Sequence, residues 1–136
     1  MEDWNHYLKT LYESSNVINN IQTLHTDKDV FSSKNIDIGV RRLANGKVRD
    51  IEGYHVELLK IGGLVLISHI HKLFNIVVKQ GFPKPWTQSL IIPILKNGDK
   101  NNHFNYHTIM ISPLLSKLHG IILEDKINVW LESEGK

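Results

Sequence analysis

The chain has 136 residues, 41% hydrophobic and 22% charged, with no cysteine; these values fit one small globular domain and exclude wholesale disorder, a disulfide framework, a thiolate metal site and a cysteine nucleophile. The longest apolar stretches, such as Gly63 to Ser68 and Leu90 to Leu95, are far too short to span a bilayer, and the acidic Glu2 and Asp3 do not open a signal peptide, so no membrane partner and an intracellular setting, cytoplasm or nucleus, are expected. The net charge of +2 is unevenly spread: residues 58–123 hold seven lysines against one acid, Asp99, while residues 1–57 and 124–136 each carry a balance of −2, and a basic middle of this kind suits a phosphate backbone as well as an ordinary solvated surface.

Trp4, Tyr7, Leu8, Leu11 and Tyr12 recur at helical spacing and predict an amphipathic first helix. Residues 13–35 are polar and read mostly as loop, with a weak helical turn at Val17, Ile18, Ile21 and Leu24. Ile36, Val40, Leu43 and Ala44 predict a short second helix ended by Asn45-Gly46. A third covers Tyr54 to Lys60 and is broken by Gly62-Gly63. A longer helix then runs to about Gln80, with Leu66, Ile67, Ile70, Leu73, Phe74, Val77 and Val78 on one face. Gly81 stands as its cap, and Pro83 and Pro85 prevent continuation.

The texture changes after Trp86. Ser89 to Leu95 is short, apolar and β-branched, which predicts a strand, and Pro93 confines it to an edge. Asn97-Gly98-Asp99 reads as a tight turn, and Thr108 to Ile111 as the partner strand. Ser112 as N-cap with Pro113 at the first helical position starts a last helix, carrying Leu114, Leu118, Ile121, Ile122 and Val129 toward a core. The expected class is α+β, mostly helical, with helices around one small β-hairpin at about 88–111.

Several chemistries find no support. His69 and His71 are two apart on a helix and face different ways, and His103 and His107 lack carboxylate company, so scattered surface histidines explain the eight better than a metal site. No Gly-x-Ser-x-Gly motif occurs, and Asn45-Gly46-Lys47 lacks the flanks of a phosphate-binding P-loop. The hairpin offers more: Lys96, Asn97, Gly98, Asp99 and Lys100 put two ammonium groups on a flexible turn, where lysine can act as a point charge toward phosphate.

The order of segments from Gly39 to Leu131 resembles the first part of the reverse transcriptase of non-LTR (LINE-type) retrotransposons. That family carries Gly-Lys-Ala-x-Gly-x-Asp-Gly and then Glu-Leu-Leu-Lys; here these are Gly46-Lys47 through Gly53, and Glu57-Leu58-Leu59-Lys60. Its Leu-Phe-Asn and Gly-x-x-Pro-x-x-Trp segments look like Leu73-Phe74-Asn75 and the stretch from Gly81 to Trp86. Its Ile-x-Pro-Ile-x-Lys-x-Gly-Asp is matched from Ile91 to Asp99, and its Asn-Tyr-Arg-x-Ile by Asn105-Tyr106-His107-Thr108-Ile109. Trp4, Tyr7, Leu11 and Tyr12 look like a segment that often precedes the domain.

The resemblance implies a fingers subdomain over 36–136 behind an N-terminal helix and polar linker over 1–35. It implies inherited contacts to nucleotide or template phosphate at Lys96, His107 and Lys100, and structural roles for Gly46, Lys47, Gly53, Trp86, Gly98, Asp99, Asn105 and Tyr106. Two departures bear on activity. His107 stands where the family has arginine, and histidine lacks the bidentate guanidinium fork. The palm aspartates that bind Mg2+ in the intact family lie downstream of anything in these 136 residues, so the expected protein is a truncated, inactive remnant with no catalytic residue, metal or cofactor of its own. Its expected partners are RNA or DNA, bound weakly and in a salt-dependent way. The alternative is a small helical protein-interaction module that self-associates through exposed apolar surface.

Overall fold

The computed structural model describes residues 2–12 and 28–135. Five α-helices and one two-stranded antiparallel hairpin make a mostly helical α+β protein. In chain order these are α1 (Glu2–Tyr12), α2 (Ser33–Arg42), α3 (Val56–Ile61), α4 (Gly63–Gln80), β1 (Leu90–Leu95), β2 (Tyr106–Ile111) and α5 (Leu114–Ser133). The helical turn expected at Val17 to Leu24 lies outside the described residues. The chain packs as two compact units: residues 1–22 with 91–110, and residues 23–90 with 111–136. No helix among the described residues is long and apolar enough to cross a membrane.

The larger unit is built on α4. Its apolar stripe buries Ile67, Ile70, Phe74 and Val77, and α2 packs on it while also contacting α3 and α5. Phe31, Ile36, Val40, Leu43, Val56, Leu59, Leu114, Leu118 and Ile122 complete the core. Helices α2 and α5 approach closely at Gly39, where a Cβ atom would stand 2.6 Å from Ile122 Cγ1. Only glycine allows that approach without displacing the core.

Two polar side chains are buried in this unit, Asn75 and His119. Asn75 is 4% exposed, and its amide is fully used. Oδ1 accepts from the N–H groups of Val30 (2.8 Å) and Phe31 (3.0 Å), and Nδ2 donates to the carbonyls of Phe31 (3.0 Å) and His71 (2.9 Å). The segment before α2 is thereby fastened to α4, and Phe31 is delivered into the core with no exposed surface. A buried amide left without partners would destabilise the fold; satisfied in this way it fixes one arrangement.

Asp50 is the second organising residue. Its Oδ1 accepts from the N–H groups of Glu52 (3.0 Å) and Tyr54 (2.8 Å), while Oδ2 accepts from the N–H of Leu114 (2.8 Å). One carboxylate thus closes the 50–54 turn and caps α5, whose positive N-terminal end favours an anion.

Several expected boundaries are corrected. Helix α2 begins at Ser33, not Ile36, because Ser32 and Asn35 form a reciprocal capping box. It ends at Arg42, not at Asn45-Gly46: Leu43 turns extended and buried, and Lys60 Nζ donates to Leu43 O and Asn45 Oδ1, both at 2.6 Å. A lysine, not a left-handed glycine, satisfies that helix end. Helix α3 starts two residues late, at Val56, since Tyr54 belongs to the Asp50 turn.

At the start of α5 the cap is Pro113, not Ser112; Asp50 supplies the oxygen, and Ser112 Oγ accepts from Ser89 Oγ at 3.3 Å. Val129 is 66% exposed, not core. The Arg42–Asp125 ion pair marks where α2 stops, and α5 runs on beyond it. The histidines are not all on the surface either. His119 is 2% exposed, and among the described residues neither ring nitrogen has a hydrogen-bond partner. Phe31, Phe74, Phe82 and Trp86 surround it at centroid distances of 5.0–6.0 Å.

Replacing Asn75 by Ala takes the partner from the N–H groups of Val30 and Phe31 and from the carbonyl of Phe31 and is expected to cost about 3 kcal/mol; a urea midpoint equal to that of the wild type would refute the clamp. Burial lowers the pKa of His119 from 6.5. The unfolded chain therefore takes up a proton at this site, below pH 6.5, that the folded chain refuses. Its contribution to stability is complete above that pH and declines as pH falls toward the lowered folded-state value. Urea titrations from neutral to mildly acidic pH should show a shallower decline for His119→Phe than for the wild type; parallel declines would show that His119 carries no such linkage.

Candidate nucleic-acid interface

Two strands of equal length form the hairpin, and Lys96 N donates to Asn105 O at 2.8 Å just beyond their ends. That pair sets Ile94 opposite His107, Ile92 opposite Ile109 and Leu95 opposite Tyr106. Because side chains alternate, Lys96, Ile94, Ile92, His107 and Ile109 share one face, and Leu95 and Tyr106 the other. Helix α1 covers the second face. Trp4 meets Tyr106 edge-on at 4.9 Å and His103 at 4.5 Å, and Tyr7 stacks on His103 at 5.5 Å. Lys96, His107, Ile92, Ile94 and Ile109 remain exposed.

The connection between the strands is a built loop, not the tight turn expected at Asn97-Gly98-Asp99, and β2 starts at Tyr106, two residues before the expected Thr108. Asp99 Oδ1 accepts from the Asn101 N–H (2.9 Å), and Asp99 O accepts from the Asn102 N–H (3.2 Å) and from Asn105 Nδ2 (3.0 Å). Asn102 Oδ1 accepts from the Phe104 N–H at 3.1 Å, and the Tyr106 hydroxyl donates to Lys100 O at 3.1 Å. Gly98 has φ +83°, and a Cβ there would lie 2.7 Å from Asn105 Nδ2. The loop therefore needs glycine twice over, for its left-handed backbone and for the space Asn105 fills.

Lys96 and Lys100 are thus fixed by their backbones, and among the described residues neither ammonium group has an ion-pair or hydrogen-bond partner. His107, opposite Ile94 and one same-face pair from Lys96, presents an imidazole without the reach of a guanidinium. Such a surface can hold phosphate oxygens by point charges on a pre-set loop. It has no donor set for a metal: no three His, Asp or Glu converge anywhere among the described residues.

The other residues singled out from sequence lie in the larger unit. Gly46 donates its N–H to Glu57 Oε1 at 2.7 Å, and that bond is the main cause holding the Glu57 carboxyl below its ordinary pKa. Gly53 closes the Asp50 turn, its N–H donating to Asp50 O at 3.0 Å. Trp86 packs edge-on against Phe74 and Phe82 at 5.8 and 5.9 Å. Lys47 is exposed. The hairpin group and this second group belong to different compact units.

Sequence reasoning gave no role to Asp50 or to Asn75, although both fall within the segments that carry the resemblance. The first had a signal, an Asp-x-x-Gly turn signature at Asp50 to Gly53. So did the second, an amide one turn after His71 on an otherwise apolar stripe. No family model matches the chain, and no curated protein matches it.

Gly98→Ala should open the loop. The strained φ alone costs a non-glycine residue about 1–2 kcal/mol, so amide exchange at Asn101, Asn102 and Asn105 is expected to quicken about tenfold, while amides of α4 stay as slow as in the wild type. Unchanged exchange in the loop would show that Asn105 does not hold it.

Proposed function

We propose that these residues are a fingers-type region of a non-LTR reverse transcriptase, retaining weak, sequence-independent affinity for RNA or DNA phosphate and no polymerase activity of their own. The observation that carries the reading is the 96–105 loop. Asn105 and Tyr106, named by the resemblance as structural, close it, while the side chains of Lys96 and Lys100, named as phosphate contacts, have no partner among the described residues. Phosphoryl transfer depends on positioning and on neutralising phosphate oxygens, and two ammonium groups on a braced loop supply part of that. The chemistry itself needs two divalent ions held by carboxylates. No Asp-Asp pair occurs in the 136 residues, so no metal-dependent step is assigned to them. His107 in place of the family's arginine weakens the grip further. An intracellular location goes with this reading.

A second reading has one observation in its favour. Leu58, Ile61 and Val65 are exposed and line a groove of about 590 Å3 with Tyr54, Leu66 and Leu73, an apolar surface of the kind used between proteins.

Anisotropy titration with labelled RNA and DNA at low and moderate salt separates the two. Binding that weakens as salt rises, with a log–log slope that falls by about 1 in Lys96→Ala, supports phosphate contact. No binding at low salt, together with concentration-dependent self-association in sedimentation, overturns it in favour of the interaction module. Extension of a primer by the purified chain with magnesium would overturn the claim of inactivity.

A further inference from the structure

The hairpin loop carries one aromatic side chain that the phosphate-binding reading leaves unused. Phe104 is 84% exposed, the most exposed aromatic residue described. It follows His103 in a short 3-10 turn, and the two rings go different ways: His103 stacks on Tyr7 and meets Trp4 edge-on, while Phe104 makes one ring contact among the described residues, T-shaped with Tyr7 at 5.9 Å and 81°. A lone exposed apolar residue is common. This one is held by its backbone, however, through its N–H donated to Asn102 Oδ1 and through the adjoining Asn105, whose carbonyl accepts from Lys96 N. The ring therefore stands on a braced loop one residue from the Lys96–Asn105 pair. Lys100 belongs to the same loop, and its carbonyl is tied to Tyr106.

We propose that Phe104 is a stacking platform for an unpaired base, which makes the loop tip a site for single-stranded in preference to duplex nucleic acid. This rests on the phosphate-binding reading of the same loop and specifies its ligand. A ring face beside cations suits a strand whose backbone meets the ammonium groups while one base turns inward onto the aromatic surface; every base has a π-face, so the contact is indifferent to sequence. In a duplex that face is occupied by the neighbouring base pair, and Phe104 has nothing to stack on. The braced backbone matters because a ring already positioned loses little freedom on binding.

The test uses the full chain, a single strand carrying 2-aminopurine, and the matching duplex. Quenching of 2-aminopurine on binding is expected, with affinity for the single strand falling about tenfold in Phe104→Leu. Duplex affinity should be unchanged in that variant, and Phe104→Trp should keep the single-strand preference. Leucine preserves apolar bulk, so a general hydrophobic contact would leave Phe104→Leu near wild-type strength. If the wild type binds both forms, is weakened by Lys96→Ala, and is indifferent to Phe104→Leu or shows no quenching, stacking is refuted and phosphate contact stands. If the wild type binds neither form, phosphate contact fails, and the stacking site fails with it.

Discussion

The larger unit depends on the four hydrogen bonds of Asn75. Without them residues 30 and 31 would carry unpaired peptide groups into an apolar interior, and Phe31 could not stay there. Phe31 in turn meets Phe74 and His119, so the amide on one helix determines the aromatic surroundings of an imidazole on another. A hydrophobic core holds by area and tolerates exchange of one apolar shape for another; a buried amide with four partners does not. Asn75 supplies the directional element that the leucines and isoleucines around it cannot.

The motifs that resemble reverse transcriptases contain several polar residues, and geometry divides them by a simple criterion. Glu57, Lys60, Asn105 and Tyr106 have their polar groups engaged inside the protein. They hold helix ends and loops together, and their residue types follow from the bonds they make. Among the described residues Lys96 and Lys100 have backbone roles alone, and no contact there explains why those side chains should be lysine. A charged side chain that does no structural work is where an external partner is sought first. On that criterion the hairpin has cationic positions and a bracing layer beneath them, the layer being made of asparagines, a glycine and a tyrosine.

Legibility from sequence followed the range of the interaction. The helices showed because their signals are local: the stripe on α4 repeats within one element, and Gly81 ends it as a left-handed cap, φ +96°. The hairpin showed because β-branched runs flank a turn. The start of α5 and the end of α2 did not, because Asp50 and Lys60 act across 64 and 17 residues, and no window of local propensity contains both partners. His119 was hidden for a related reason. Its position on α5 is on the same face as Ile122 and Leu118, but histidine there reads as polar surface until Phe31, Phe82 and Trp86 converge from separate segments. At the candidate site, the lysines were visible and their bracing was not, since a tight turn and a loop closed by Asn105 begin with the same Asn-Gly-Asp.

The cap on α5 also bears on the order in which the chain can acquire structure. Synthesis delivers Asp50 well before Leu114, and the turn from 50 to 54 is local enough to close while the later residues are still being added. The acceptor for the first turn of α5 comes from a segment 64 residues earlier, so the helix has a receptor to dock onto in place of a side-chain cap of its own. An isolated peptide of α5 would lack that receptor and would have to start from its own weaker signals. The starting point of α5 is in this sense decided by an earlier part of the chain.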